Sequence, residues 1–394
     1  MDKIKNCDTV IQNTKNHEQP TGDIGKMSKV FLGIGAGPIQ TGIYVAGASK
    51  GGFDRIVLAD VDKALVDAIR ASGTITVNTA CADRIRTDVY KNIEIYNSSV
   101  PEDLAELKKI AAEALAVNTA LPAVKFYQYC TWLKEAFDTN PEGTRYVYTS
   151  ENCTTAADEL RKVLGSYPNT YYLDTVIGKM SKIFPSAESE LPPLAPGYIK
   201  GHLVEEFNEI YTTDAPGIEN VGIVGLYPKK DIYPFEEAKL YGHNASHFLL
   251  GVLAARCGCK FMSDAVKFPE IVELTKRALL EECSPALCAK FKGVDPYFEP
   301  ANFNAWAVEL VRRMTSGLLS DSVDRVIRDI DRKLAWQDRI IGAMRLCLSQ
   351  GVKPAILTRG AALAARYQAL NELQNVWPEG DERTTVTEMI RAAE

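Results

Sequence analysis

Histidine and tryptophan are scarce in this chain, with four of each in 394 residues. No apolar run approaches the roughly 20 residues that cross a bilayer, so a membrane span is excluded. Basic charge is also short. Lysine and arginine number 45 against 51 acids, a net charge of −6, whereas a nucleic-acid or membrane-surface role would want a basic face. The nine cysteines are scattered, and no CxxC pair recurs around Cys257 and Cys259, which supports neither a zinc knuckle nor a disulfide framework. Reduced thiols in the cytoplasm are the expectation. What remains, 46% hydrophobic and 24% charged, is an ordinary globular composition long enough for two domains.

The first 26 residues are polar, rich in Asn, Lys and Asp, and lack the apolar core of a signal peptide, so they read as a disordered tail. From Val30 to Ile34 runs a short buried strand, followed at once by Gly35-Ala36-Gly37-Pro38-Ile39-Gln40. A second apolar strand, Arg55 to Ala59, closes on Asp60. Strand, glycine turn, helix, strand and acid form a dinucleotide-binding βαβ unit. Gly35 and Gly37 let the backbone approach a pyrophosphate, Pro38 and Ile39 open the helix whose N–H groups attract it, and Asp60 stands where a carboxylate accepts ribose hydroxyls. No arginine follows Asp60, which favours NAD over NADP. Gln40 occupies the place of the third glycine. Leu115 to Pro122 and Thr144 to Thr149 read as further strands, and a helix is expected over Thr154 to Leu164. Polar residues past strand carboxyl ends face the ligand crevice, which nominates Asn118, Thr119, Glu151 and Asn152 beside the nicotinamide, with Ala120 next to Thr119 as a further cofactor-side residue. Asn152 reads equally well as the N-cap of the following helix.

Beyond Leu191 to Gly197, rich in proline, the periodicity turns helical. The expected organisation is an α/β Rossmann-like domain over 27–198 and a mostly α-helical domain over 199–394, with a small-molecule cleft between them. One strand is expected at Ile218 to Tyr227. Helices are expected at Lys239 to Cys257, Ile271 to Glu282, Asn304 to Arg313, Asp321 to Ile330 and Trp336 to Gln350. Lys239, Asn244 and His247 lie within nine residues. On an α-helix, Asn244 falls about 140° round from Lys239 and His247 about 80°, so all three can line one side of a cleft. A desolvated lysine can act as a base near neutral pH, and an amide and an imidazole can hold an oxygen. The charged run from Asp321 to Leu334 reads mainly as a solvated helix face, with Arg332, Lys333 or Arg339 available to an anionic group on a substrate.

Taken in order, these segments resemble the polyol-specific long-chain dehydrogenases, their mannitol-1-phosphate 5-dehydrogenase branch in particular. The resemblance rests on Gly35-Ala36-Gly37 with Asp60, Thr119-Ala120-Leu121-Pro122, Glu151-Asn152, Val204-Glu205-Glu206-Phe207, and Lys239 with Asn244 and His247 as a K-x4-N-x2-H signature. Leu318 to Gly342 resembles the branch's carboxy-terminal block. The family likeness implies a metal-independent enzyme moving a hydride between NAD and a polyol or polyol phosphate. It implies Lys239 as general base, Asn152 and Asn244 as an oxyanion hole and His247 as the substrate-orienting group; Glu236 matches a carboxylate that in some members relays the proton outward, and reads equally well as a helix-surface charge. Where the family has Val-Asp-Arg, this chain has Val176-Ile177-Gly178-Lys179. A substrate-side carboxylate is thus missing at Gly178, and Asp174 is the available substitute.

Two other readings compete. His243 and His247 have the i,i+4 spacing of zinc ligands, but Asn244 follows His243 where a zinc protease has Glu, and no third ligand suggests itself. His243 is expected to pack or line the cleft, and no metal is expected. The departures at Gln40 and Gly178 would also suit a non-catalytic NAD-binding sensor, against which the intact Lys239, Asn244 and His247 argue. The expected partner is a small-molecule substrate, with the protein a monomer or dimer.

Overall fold

Why the first strand is apolar throughout is plain from its surroundings. Val30, Leu32 and Ile34 pack into one buried cluster and Phe31 into another, on opposite faces of the same sheet. In this computed structural model, residues 28–319, 321–366 and 376–393 are described. The expected tail over 1–26 lies outside them.

Among the described residues the strands, in chain order, are β1 (Val30–Ile34), β2 (Arg55–Asp60), β3 (Thr74–Ala80), β4 (Ile85–Lys91), β5 (Ile93–Asn97), β6 (Ala116–Thr119), β7 (Arg145–Thr149), β8 (Thr170–Val176), β9 (Ser181–Pro185), β10 (Lys200–Glu205), β11 (Ile210–Thr213) and β12 (Leu226–Lys229). Eight form one sheet in the order β12-β11-β8-β7-β6-β1-β2-β5, and a second sheet runs β4-β3-β10-β9. The large sheet is parallel except where β11 meets β8. Order reverses at β1, which pairs with β2 on one side and β6 on the other. Such a switch point opens a crevice at the strand carboxyl ends. Register brings Ile34, Thr119, Thr149 and Asp174 level there.

Gln40 is fully buried under β1, and the room for it comes from the strand. A Cβ on Gly33 would stand 2.3 Å from Gln40 Nε2. Gln40 Oε1 accepts a hydrogen bond from Asn118 Nδ2 at 2.8 Å, and Asn118 Oδ1 accepts one from Ser150 Oγ at 2.8 Å. Helix and strand therefore still pack closely without the third glycine.

Strand pairing carries the β-rich part on to Lys229, past the switch expected near residue 198. β10 pairs with β3 and β9, while β11 and β12 extend the large sheet. β10 escapes a hydrophobic-pattern reading because it carries Lys200, His202 and Glu205, and the buried His202 and Glu205 find partners only in the folded chain. His202 Nδ1 lies 2.9 Å from Thr41 Oγ1, and Glu205 takes a two-pronged ion pair from Arg313. Of the strand expected over Ile218 to Tyr227, only its last two residues are extended. A 3-10 turn at Ile218–Asn220 and the left-handed Gly222 and Gly225 interrupt the rest.

From Tyr233 the described chain is helical and packs around one large apolar cluster. The helix expected over Asp321 to Ile330 is split. Asp329 adopts φ 57°, separating Val323–Ile327 from Ile330–Lys333. Helical segments at Pro269–Arg277 and Ser284–Lys290 are joined through a π-helical stretch at Ala278–Cys283. No described helix is long and apolar enough to cross a membrane.

Candidate active site

The helix that begins at Tyr233–Glu237 and ends as Ala245–Arg256 has a π-helical stretch, Ala238–Asn244, in its middle. Hydrogen bonds that skip five residues change which side chains share a face. Lys239 and Asn244 are five apart, so the π turn brings together two groups that a regular α-helix would set about 140° apart. Both border one cleft of about 270 Å³, which is also lined by Glu151, Asn152, Thr175 and Glu236. π turns of this kind recur at functional sites.

Across the cleft, Asn152 follows β7, and its Oδ1 accepts a hydrogen bond from Lys239 Nζ at 3.2 Å. The N-cap alternative for Asn152 falls away. The helix Ala156–Leu164 is capped instead by Asp174 Oδ1, which accepts from Ala157 N at 2.8 Å. Asn152 is exposed to the cleft, and its amide N–H groups are not engaged by any described residue. Burial, reinforced by the Arg339 charge, lowers the Lys239 ammonium to about 8, against the pull of Glu236. Burial beside Asp174 pushes the Glu236 carboxyl up to about 7, with Lys239 opposing. A base and a neighbouring carboxyl thus both titrate near neutrality in one cleft.

Alongside lies a second chamber of about 220 Å³, sharing Asn152, Asn244, Arg332 and Arg339 with the first and adding His247, Arg325, Arg328, Asp329 and Lys333. Five basic side chains face three carboxylates. Arg325 pairs with Asp321, and Arg339 and Arg332 share Asp338 at 2.7 and 3.3 Å. Arg328 is mostly exposed and lies 3.8 Å from Asp329. Lys333 is buried, donates to the Val326 carbonyl at 2.6 Å, and is lowered to about 8 by burial and by Arg339 and Arg332. The excess of cations suits an anion. Arg325 belongs to the charged run expected to form mainly a solvated helix face, because helical spacing alone does not show that this segment faces a cleft. His247 lines this chamber, and burial holds its imidazole down to about 4. His243 lies deeper, against a small cavity beneath Lys239 that Gly178, Phe207 and Arg313 also line. Among the described residues, no group of three or more His, Cys, Asp or Glu is arranged to hold a metal.

At the β1–β2 end, Gly35 has φ 82°, and a Cβ there would come within 2.9 Å of the Ala120 carbonyl. A Cβ on Gly37 would meet nothing within 4 Å, so the turn presents open backbone. Asp60 holds this turn, accepting from Ala36 N at 2.8 Å and Asp62 N at 2.9 Å, from the end of β2. Pro38 borders a cavity of about 470 Å³, and Ile39 is half-buried behind it. These features fit a dinucleotide. Thr119 and Glu151, expected beside the nicotinamide, stand at the end of β6 and just past the end of β7. Both are buried. Glu151 accepts from Thr119 Oγ1 at 3.0 Å, Leu121 N at 2.8 Å, Ser150 N at 3.1 Å and the Tyr127 hydroxyl. They clamp the Ala120 and Asn152 loops together.

The mannitol dehydrogenase C-terminal domain model matches residues 231–385, beginning just past β12. The chain is 28% identical over 363 residues to a mannitol-1-phosphate 5-dehydrogenase of Bacillus licheniformis, covering 88% of this chain and 90% of the relative. Residues 231–385 thus carry a mannitol dehydrogenase C-terminal domain, and the chain along most of its length is similar to mannitol-1-phosphate 5-dehydrogenases. A mannitol-1-phosphate 5-dehydrogenase of Aspergillus niger is 23% identical, over 87% of each chain. In fold, the chain is similar to a D-sorbitol dehydrogenase in substrate-free form (TM-score 0.71, 13% identity, 92% of this chain and 91% of that one). It is also similar to the Pseudomonas fluorescens mannitol 2-dehydrogenase solved with NAD and D-mannitol (TM-score 0.64, 14% identity, 93% and 84%).

Proposed function

We propose that this protein is an NAD-dependent dehydrogenase that interconverts a sugar alcohol phosphate and the corresponding ketose phosphate, with Lys239 as the general base. The observation that carries this reading is the pairing of Lys239 with Asn152 at 3.2 Å across a cleft that Asn244 borders from the same π turn. Gly35, Gly37, Pro38, Ile39 and Asp60 are the residues that would hold NAD, which would supply the hydride acceptor or donor. In the direction of alcohol oxidation, neutral Lys239 takes the hydroxyl proton, and burial makes the neutral amine accessible. Asn152 and Asn244 donate N–H groups to the oxygen as charge grows on it, an arrangement that favours the transition state over the ground state. Glu236, itself near neutrality, passes the proton from Lys239 toward solvent.

Phosphorylation of the substrate is supported by the basic chamber next to this pair. Arg332 and Arg339 share one carboxylate and so keep an excess of positive charge for an anion. The names of the relatives point the same way. A screen of NADH consumption against fructose 6-phosphate, fructose, tagatose, fructuronate and tagaturonate tests both parts. Turnover of fructose 6-phosphate well above the rest is expected. Activity only on unphosphorylated sugars would remove the phosphate from the reading, and activity on none would remove the dehydrogenase.

A further inference from the structure

His247 Nε2 is buried and has no hydrogen-bond partner among the described residues, an arrangement that costs free energy unless something in the working protein answers it. It faces Asp321 Oδ2 at 3.5 Å. The other charged groups acting on this ring are Arg325, Arg339 and Lys333, all cations that cannot accept a hydrogen, and the His243 ring lies 6.1 Å away, centroid to centroid. Asp321 is therefore the acceptor available to Nε2. Its position is well braced. The Asp321 carbonyl accepts from Met262 N at 2.8 Å, Ser322 bridges Phe261, and Val323 N donates to the Lys260 carbonyl at 3.0 Å. These contacts tie Asp321 to the loop that leaves the His247 helix. The Arg325 fork holds the carboxylate from the other side, and a carboxylate oxygen has lone pairs for both neighbours.

We propose that Asp321 is a positioning residue that holds His247 in the Nε2–H tautomer, so that Nδ1 meets the substrate as a hydrogen-bond acceptor for a hydroxyl. A carboxylate accepts only, so closing the Nε2 to Asp321 gap requires the hydrogen on Nε2. Nδ1 then keeps its lone pair. Among the described residues no group is hydrogen-bonded to Nδ1, and the ring borders the basic chamber beside Asn244. His247 thus selects a ligand with an O–H donor at that point, while the neighbouring amides select the oxygen that carries charge. The assignment rests on the dehydrogenase reading above for the identity of the ligand, and on the structure alone for the tautomer.

The chain holds only four histidines, so long-range ¹H–¹⁵N spectra of the full-length, histidine-labelled protein are simple enough to read, with His247→Asn identifying its signals. The expected result is a protonated Nε2 and a lone-pair Nδ1 at His247, lost or averaged in Asp321→Ala. A protonated Nδ1 in the unmodified protein overturns the proposal, and so does a tautomer indifferent to Asp321→Ala. Kinetically, Asp321→Ala should lower kcat/KM for the sugar roughly tenfold or more with NADH affinity unchanged, and should add nothing further to His247→Ala. A full additional loss in the double variant would mean that Asp321 acts elsewhere. Asp321→Glu, which keeps the carboxylate, should recover part of the rate. If no sugar is turned over at all, the dehydrogenase reading fails, while the spectra of the unmodified protein still decide the role of Asp321.

Discussion

The lowered ammonium of Lys239 makes a quantitative prediction about pH. With the ordinary lysine value of 10.5, about one amine in three thousand is neutral at pH 7, whereas at about 8 the neutral share is about one in ten. Burial and Arg339 together therefore raise the population of the competent base by about three hundredfold. Alcohol oxidation needs the neutral amine, so kcat/KM for the polyol should rise with pH and level off above about 8. Ketose reduction needs the ammonium as proton donor and should fall through the same range. The assay is the initial rate of NADH appearance or loss between pH 6 and 10, in both directions. Arg339→Gln removes a cation that lowers the ammonium, so the inflection should move to higher pH in that variant. Lys239→Ala should lose about a hundredfold or more in rate with NADH binding nearly unchanged. An oxidation profile flat from pH 6 to 10, or full activity in Lys239→Ala, would refute the reasoning.

Asn152→Ala removes an amide donor from the cleft and should cost about 10²-fold or more in kcat, with NADH affinity, measured by fluorescence titration, little changed. Arg332→Gln should raise KM for fructose 6-phosphate about tenfold while leaving any turnover of fructose unaltered, and equal effects on both sugars would place the phosphate elsewhere. Gly33→Ala forces a methyl into the buried Gln40 amide and Leu58, so denaturant unfolding should show a loss of about 1–3 kcal/mol. Part of that loss should return in Gly33→Ala combined with Gln40→Ala.

Short-range signals were legible in the chain because their physics is local. A strand, a glycine with positive φ, a helix start and an acid at the next strand end are read from adjacent residues, and Gly35, Gly37 and Asp60 stand where that pattern puts them. The cluster of Lys239, Asn244 and His247 was visible for the same reason. Its geometry was not, since a π turn inside an otherwise regular helix depends on what packs against it. That Glu151, at the edge of the cleft, also gathers four donors could not be read from the chain, because they come from residues 119 to 150.

Composition, spacing and periodicity thus determined the first strand–glycine turn–helix–strand unit, the helical carboxy-terminal part and the trio of polar residues on one helix. Tertiary structure alone decided that β10 to β12 extend the sheets to Lys229, and that Asp174 rather than Asn152 caps the helix after β7. It also decided that Arg325, Arg332 and Arg339 crowd one chamber beside Lys239. The reason is common to all three. Whether a charged or amide side chain spends its hydrogen bonds on the protein or keeps them for a ligand depends on partners distant in the chain, and only the fold brings those partners into reach.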